Sequence, residues 1–172
     1  MKRFRTFLVL LCLMSCTPIL KSSSGIPIKA IYLVQGEGEI SQDDLDVHPE
    51  IFLTHSFEDF KSLANSRVAL WIDVNAANLV DSNWLKNKHQ EFYTIVLIGN
   101  SSDLCSFAYG PYLRIQRAGP LPKDYEDYCN DNMFGFSVSK MRSETRGVSK
   151  GFSETPTVKA ILEETESLLK NR

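Results

Sequence analysis

Residues 27–172 predict a single three-layer α/β domain, a mainly parallel sheet with helices on both faces. Three observations predict it. Short apolar runs alternate along the chain with segments whose apolar residues recur at helical spacing, so successive strands are joined by crossovers and come out parallel. Two of those runs, 67–74 and 92–98, are apolar almost without interruption, the pattern of strands covered on both faces. The chain of 172 residues, 43% hydrophobic, is long enough for one domain with a proper core.

The elements follow in order. Residues 28–34, an apolar run bounded by Pro27 and Gly36, read as the first strand. Residues 50–54 read as the second. Ser56-Phe57-Glu58-Asp59 has the form of a capping box, and Phe57, Phe60, Leu63 and Ala64 recur as one helical face. The run 67–74 is the third strand. Asp81, Ser82 and Asn83 cap a short helix through Trp84 and Leu85 to Gln90. The run 92–98 is a buried strand stopped by Gly99. A helix is expected from Ser101 or Ser102 through Leu104, Phe107 and Ala108. Residues 110–132, with Pro111, Pro120 and Pro122, read as loop. Residues 134–139 read as the last strand and 143–155 as a mobile polar segment. A closing amphipathic helix, 157–169, places Val158, Ile161, Leu162, Thr165, Leu168 and Leu169 on one face. The expectation is a doubly wound fold of the flavodoxin or Rossmann kind.

In such sheets ligands bind beyond the carboxyl ends of the strands. Those ends fall at 35–39, 73–78, 99–103 and 139–142. Asp73 is the sharpest residue among them. A carboxylate closing an apolar strand, with Asn75 and Asn78 behind it, is expected to stand over the edge, where it would bind a cation, orient a substrate or act as a base. The favoured reading, however, is that it caps the next turn by accepting backbone N–H bonds. Ser101 and Ser102 lie where a nucleophilic serine would lie, so Asp73, Ser101 and His55 or His48 form a candidate catalytic set. No Gly-x-Ser-x-Gly elbow accompanies them, and helix capping is the simpler role for the serines. Gln35-Gly36-Glu37-Gly38-Glu39 has the glycine spacing of a phosphate loop. Its two acids would repel a phosphate, and a flexible turn is the expected reading.

Leu70-Trp71-Ile72-Asp73-Val74-Asn75 resembles the phosphoacceptor strand of response-regulator receiver domains, with Ser101 and Lys140 at fitting later strand ends. The resemblance departs in two places. No acidic pair directly follows the first strand, since Asp43-Asp44 comes well downstream, and a domain exported as the N-terminus implies would meet no ATP-fed kinase. It implies the fold and not the activity.

Aromatic residues crowd one third of the chain: Phe107, Tyr109, Tyr112, Tyr125, Tyr128, Phe134 and Phe136. Tyr109 and Tyr112, with Asn75 and Asn78, are the expected binding residues, since aromatic loops over a sheet edge suit a protein or glycan surface. Asp124, Asp127 and Asp131 offer oxygen ligands for Ca²⁺ but lack the ordered positions of an EF-hand. A solvated loop is expected there, and no metal or cofactor.

The N-terminus carries the most specific signal. Lys2, Arg3 and Arg5 precede an apolar stretch, 7–14, too short for a permanent span, which needs about 20 residues. Leu13-Met14-Ser15-Cys16 follows and resembles the lipobox of bacterial lipoproteins. The resemblance covers residues 1–16 and implies a signal peptide over 1–15, removal before Cys16, and a diacylglyceryl group on the Cys16 thiol. Residues 16–26 are then a polar tether. The positive leader stays on the cytoplasmic side, so the domain is expected on the extracytoplasmic face of a cell membrane. Cleavage leaves 16 basic residues against 21 acidic, a formal charge of −5. With no basic run, that excludes nucleic acid as a partner. Only Cys105 and Cys129 remain to pair. Outside the cytoplasm a disulfide is permitted and would contribute roughly 3 kcal/mol; two free thiols fit the sequence equally.

The expected function is a membrane-tethered binding or accessory module of the cell envelope. The alternative is a hydrolase or transferase acting on an envelope substrate through Asp73, Ser101 and a histidine.

Overall fold

The computed structural model describes residues 22, 25–91, 94–99, 136–141, 144–149 and 157–170. Four strands, β1 (Ala30–Leu33), β2 (Ile51–Thr54), β3 (Ala69–Asp73) and β4 (Thr94–Ile98), are parallel and lie side by side in the order β2-β1-β3-β4. Helices alternate with them, which makes the fold α/β of the flavodoxin-like order rather than the Rossmann order. The sheet continues past β4 with β5 (Phe136–Met141) and β6 (Glu144–Ser149), both joined by antiparallel pairing.

Alternation along the strands divides the core in two. Ile31, Leu33, Leu70, Ile72, Ile95 and Leu97 point to one face and Ala30, Tyr32, Ala69, Trp71, Val96 and Ile98 to the other. Helix α2 (Phe57–Leu63) and α3 (Ser82–Gln90) cover the first face, where Phe60 and Leu85 are fully buried. Phe57 meets Trp84 edge-on at 5.4 Å between ring centroids. Helix α1 (Gln42–Asp46) and the closing helix α4 (Val158–Lys170) cover the second face through Leu45, Val158, Ile161 and Leu162. Each large apolar side chain fully buried in this way contributes about 1.5–3 kcal/mol. The caps are local: Ser56 accepts from the Asp59 amide at 3.3 Å, and Asp81 accepts from the Trp84 amide at 2.7 Å.

Two expectations are corrected. The strand expected at 134–139 is β5, shifted to 136–141, and it runs against β4, so residues 139–141 lie at the amino edge of the sheet, opposite the other strand ends. It is not the last strand either. The polar stretch 143–155 contains β6, whose Glu144, Thr145 and Arg146 carry no apolar alternation; it pairs with β5 over six residues, and an outermost strand needs only backbone bonds and tolerates charge. At the start of the described chain the Ser22 amide donates to Ile26 O at 2.8 Å, the Gly25 amide to Ser22 O at 2.9 Å, and the Ile26 amide to Ser22 Oγ at 3.2 Å, with Gly25 at φ +78°. The helix expected after Ser101 and the loop 110–132 lie outside the described residues.

Candidate functional site at the strand-end edge

The chain leaves β1 towards β2 on one side and enters β3 on the other, so the switch point lies between the carboxyl ends of β1 and β3. Residues 35–39 follow β1 there. Asp73 and Asn75 meet them from the end of β3.

Asp73 is 0% exposed. The sequence places it over the edge; the structure places it beneath residues 35–39, because strand periodicity turns it to the same face as Trp71 and Tyr32. Tyr32 pairs in register with Trp71, and its long ring reaches diagonally across the pair to the residue two further on. The Tyr32 hydroxyl donates to Asp73 Oδ2, which also accepts from the Glu39 amide at 2.8 Å; Asp73 Oδ1 accepts from the Asn75 amide at 3.1 Å. Burial first, and then the Asp73 charge, push the Tyr32 hydroxyl well above the usual tyrosine range, so it remains a donor at every physiological pH. Asp73 also caps the 3-10 helix at Val74–Leu79.

Asn75 closes the turn from outside. Its Oδ1 accepts from the Gln35 amide at 2.9 Å and its Nδ2 donates to Glu37 O at 2.6 Å. The two glycines of the turn have separate reasons. Gly36 sits at φ +74°, a conformation that costs a side-chain-bearing residue roughly 1–2 kcal/mol. Gly38 passes so close to the clamp that a Cβ there would lie 2.6 Å from the Tyr32 hydroxyl and 3.1 Å from Asp73 Oδ2. The turn is pinned by side chains rather than flexible, and it lies over the β1 and β3 ends, where such folds hold ligands.

Neither a family model, nor a curated protein, nor a solved structure matches this chain. The site is therefore read from its own geometry.

Of the residues singled out in the sequence, Asp73 and Asn75 come together, and both hold the turn. Asn78 is exposed on the 3-10 helix. His55 is exposed after β2, with Nδ1 3.1 Å from Val34 O. His48 lies at the opposite edge, its Nδ1 3.2 Å from Glu50 Oε1. Desolvation raises the Glu50 carboxyl, but its own backbone N–H and His48 together outweigh that and hold it below the usual glutamate range. Ser101, Tyr109, Tyr112, Cys105, Cys129 and Cys16 lie outside the described residues. Among the described residues no three His, Cys, Asp or Glu side chains are placed to hold a metal ion, and no helix is long and apolar enough to cross a membrane.

Sequence reasoning missed Tyr32. The signal was present: a tyrosine inside an otherwise apolar strand needs a hydrogen-bond partner when buried, and Asp73 ends a neighbouring strand. It also missed Trp71, whose ring packs edge-on to Tyr32 at 6.4 Å while its buried Nε1 has no acceptor among the described residues.

Proposed function

We propose that the chain is a lipid-anchored extracytoplasmic domain that works by binding, as an accessory module of the cell envelope, with a protein or glycan as partner. The observation that carries the reading is the order of the first sixteen residues: three basic side chains, a short apolar stretch, and Leu13-Met14-Ser15-Cys16. Two long acyl chains at about 0.8 kcal/mol per buried CH₂ hold a protein on a bilayer effectively for good. The state of Asp73 favours binding over catalysis. A hydrolase would need this carboxylate turned to a histidine, whereas it accepts from Tyr32, Glu39 and Asn75 and His55 faces a backbone carbonyl.

The test is fractionation with mass spectrometry of the N-terminal peptide. The wild-type chain is expected in the membrane fraction, beginning at an acylated Cys16, and Cys16→Ala is expected to lose the acyl mass. An unmodified full-length chain in the cytosol would end the proposal.

A further inference from the structure

The described part of the domain has two unlike edges. At the amino edge of the parallel sheet, the Lys29 amide donates to Glu50 O at 2.8 Å and the Ala69 amide donates to Lys29 O at 2.9 Å, which brings the starts of β1, β2 and β3 together. Ile26, three residues before Lys29, is 39% exposed there, and Val47, at the end of α1, is 70% exposed. They are two of the three large apolar side chains described as exposed. Three ion pairs lie at this edge: Lys29 Nζ is 2.7 Å from Glu166 Oε1, Lys88 Nζ 2.7 Å from Glu91 Oε2, and His48 meets Glu50; Arg67, just before β3, is exposed.

The carboxyl edge differs. Helices in this fold run back against the strands, so Asp43 in the first turn of α1 and Glu58 and Asp59 in that of α2 lie towards the edge that also bears Glu37 and Glu39; Glu58 is paired with Lys61 Nζ at 2.7 Å, and Asp44 reaches the other way, 3.9 Å from His48. An anionic lipid surface repels that edge.

We infer that the anchored domain stands with its amino edge, marked by Ile26, Val47 and Arg67, against the lipid headgroups and its acidic carboxyl edge turned away from the bilayer. The inference rests on acylation at Cys16. Ser22 is bonded to Gly25 and Ile26 just before β1, so only six residue steps separate Cys16 from a residue fixed to the amino edge. Fully extended, they reach at most about 21 Å. A folded chain of this length is roughly 35–40 Å across. Turning the carboxyl edge to the membrane would require the connection to run the depth of the domain, which it is too short to do. The carboxyl edge, with the turn at 35–39, is then the face open to a partner away from the bilayer.

The test uses the full chain in membranes. A photo-activatable phenylalanine analogue is placed singly at Val47, Arg67, Glu37 or Glu58, all exposed, and the irradiated protein is weighed for phospholipid adducts. Adducts at positions 47 and 67 at least fivefold above those at 37 and 58 are expected. Two sites per edge guard against one substitution disturbing the fold. Equal or reversed labelling on a chain carrying the acyl group would overturn the orientation alone. A chain without the acyl group would overturn both the orientation and the proposed function.

Discussion

Asp73→Ala is the perturbation that tests the reading of the strand-end edge. It removes the acceptor of three donors at once: the Tyr32 hydroxyl, which is fully buried, and the amides of Glu39 and Asn75, which are partly so. A buried donor left without a partner costs about 1–3 kcal/mol. Tyr32 bears that cost in full and the two amides in part, so the loss is roughly 3–5 kcal/mol. Tyr32→Phe takes away one donor and leaves the carboxylate with two, for a loss of about 1.5–3 kcal/mol. Asn78→Ala, at an exposed position on the adjoining helix, is expected within about 0.5 kcal/mol of wild type. Urea unfolding followed by the fluorescence of Trp71 and Trp84, the two tryptophans of the chain, reads these differences as shifts in midpoint at constant slope. Because Tyr32 and Asp73 touch, the double variant Tyr32→Phe/Asp73→Asn should be less damaging than the two singles added, by about 1–2 kcal/mol. If Asp73→Ala unfolds at the same urea concentration as Asn78→Ala, the carboxylate is not what holds residues 35–39, and the structural reading of the edge is wrong.

Four further outcomes follow from the same geometry. Tyr32 is raised above its unfolded value, so the stability it confers is complete below the ordinary tyrosine pKa of about 10 and is lost as pH rises beyond it; alkaline unfolding of wild type should be steeper than that of Tyr32→Phe by up to about 1.4 kcal/mol per pH unit. Glu50 is lowered, so its contribution is present above the unfolded glutamate value and lost as pH falls through the folded one; Glu50→Gln should flatten the acid limb of a stability–pH curve, and an unchanged limb would contradict the His48–Glu50 pairing. Gly99→Ala would set a Cβ 2.3 Å from Val74 Cγ2, an overpacking cost of about 1–3 kcal/mol that Val74→Ala in the same chain should partly recover. Asn75→Ala frees the Gln35 amide and Glu37 O, so hydrogen exchange at Gln35 should quicken while the amides of β3 keep their protection.

Most of the parallel sheet was legible because its strands are written in continuous apolar runs and its helices begin with recognisable caps. Residues 67–74 and 92–98 gave β3 and β4, and Ser56 and Asp81 gave the starts of α2 and α3. What escaped was written in other terms. Helix α1 is a single turn with one buried residue, Leu45, too short for a period to show. Strand β6 is held by backbone pairing to β5 and leaves no apolar alternation in its sequence. Asp73 caps the next turn as its residue type suggests, but its position was misplaced, for a subtler reason. The sequence shows a carboxylate at the end of an apolar strand, but its burial depends on a turn, 35–39, whose two glycines let it fold back over the strand end. Gly36 and Gly38 read as looseness in one dimension and are, in three, the condition for a close approach.

That turn changes what the edge can do. In a flavodoxin-like sheet the crevice between the first and third strands is open to a ligand because the groups at the strand ends are free. Here Asp73 accepts three bonds and Asn75 makes two with the backbone of the turn. A ligand entering the crevice would have to lift residues 35–39 and strip Asp73 of its donors, forfeiting about the 3–5 kcal/mol that Asp73→Ala is expected to lose. At 1.4 kcal/mol for each factor of ten, that is roughly a hundredfold to several thousandfold in affinity. A partner that meets the turn's outer surface incurs none of it. Gln35, Glu37, His55 and Asn78 are exposed there, with the pinned turn as a rigid support, so recognition at this edge is favoured on its rim and opposed in its crevice.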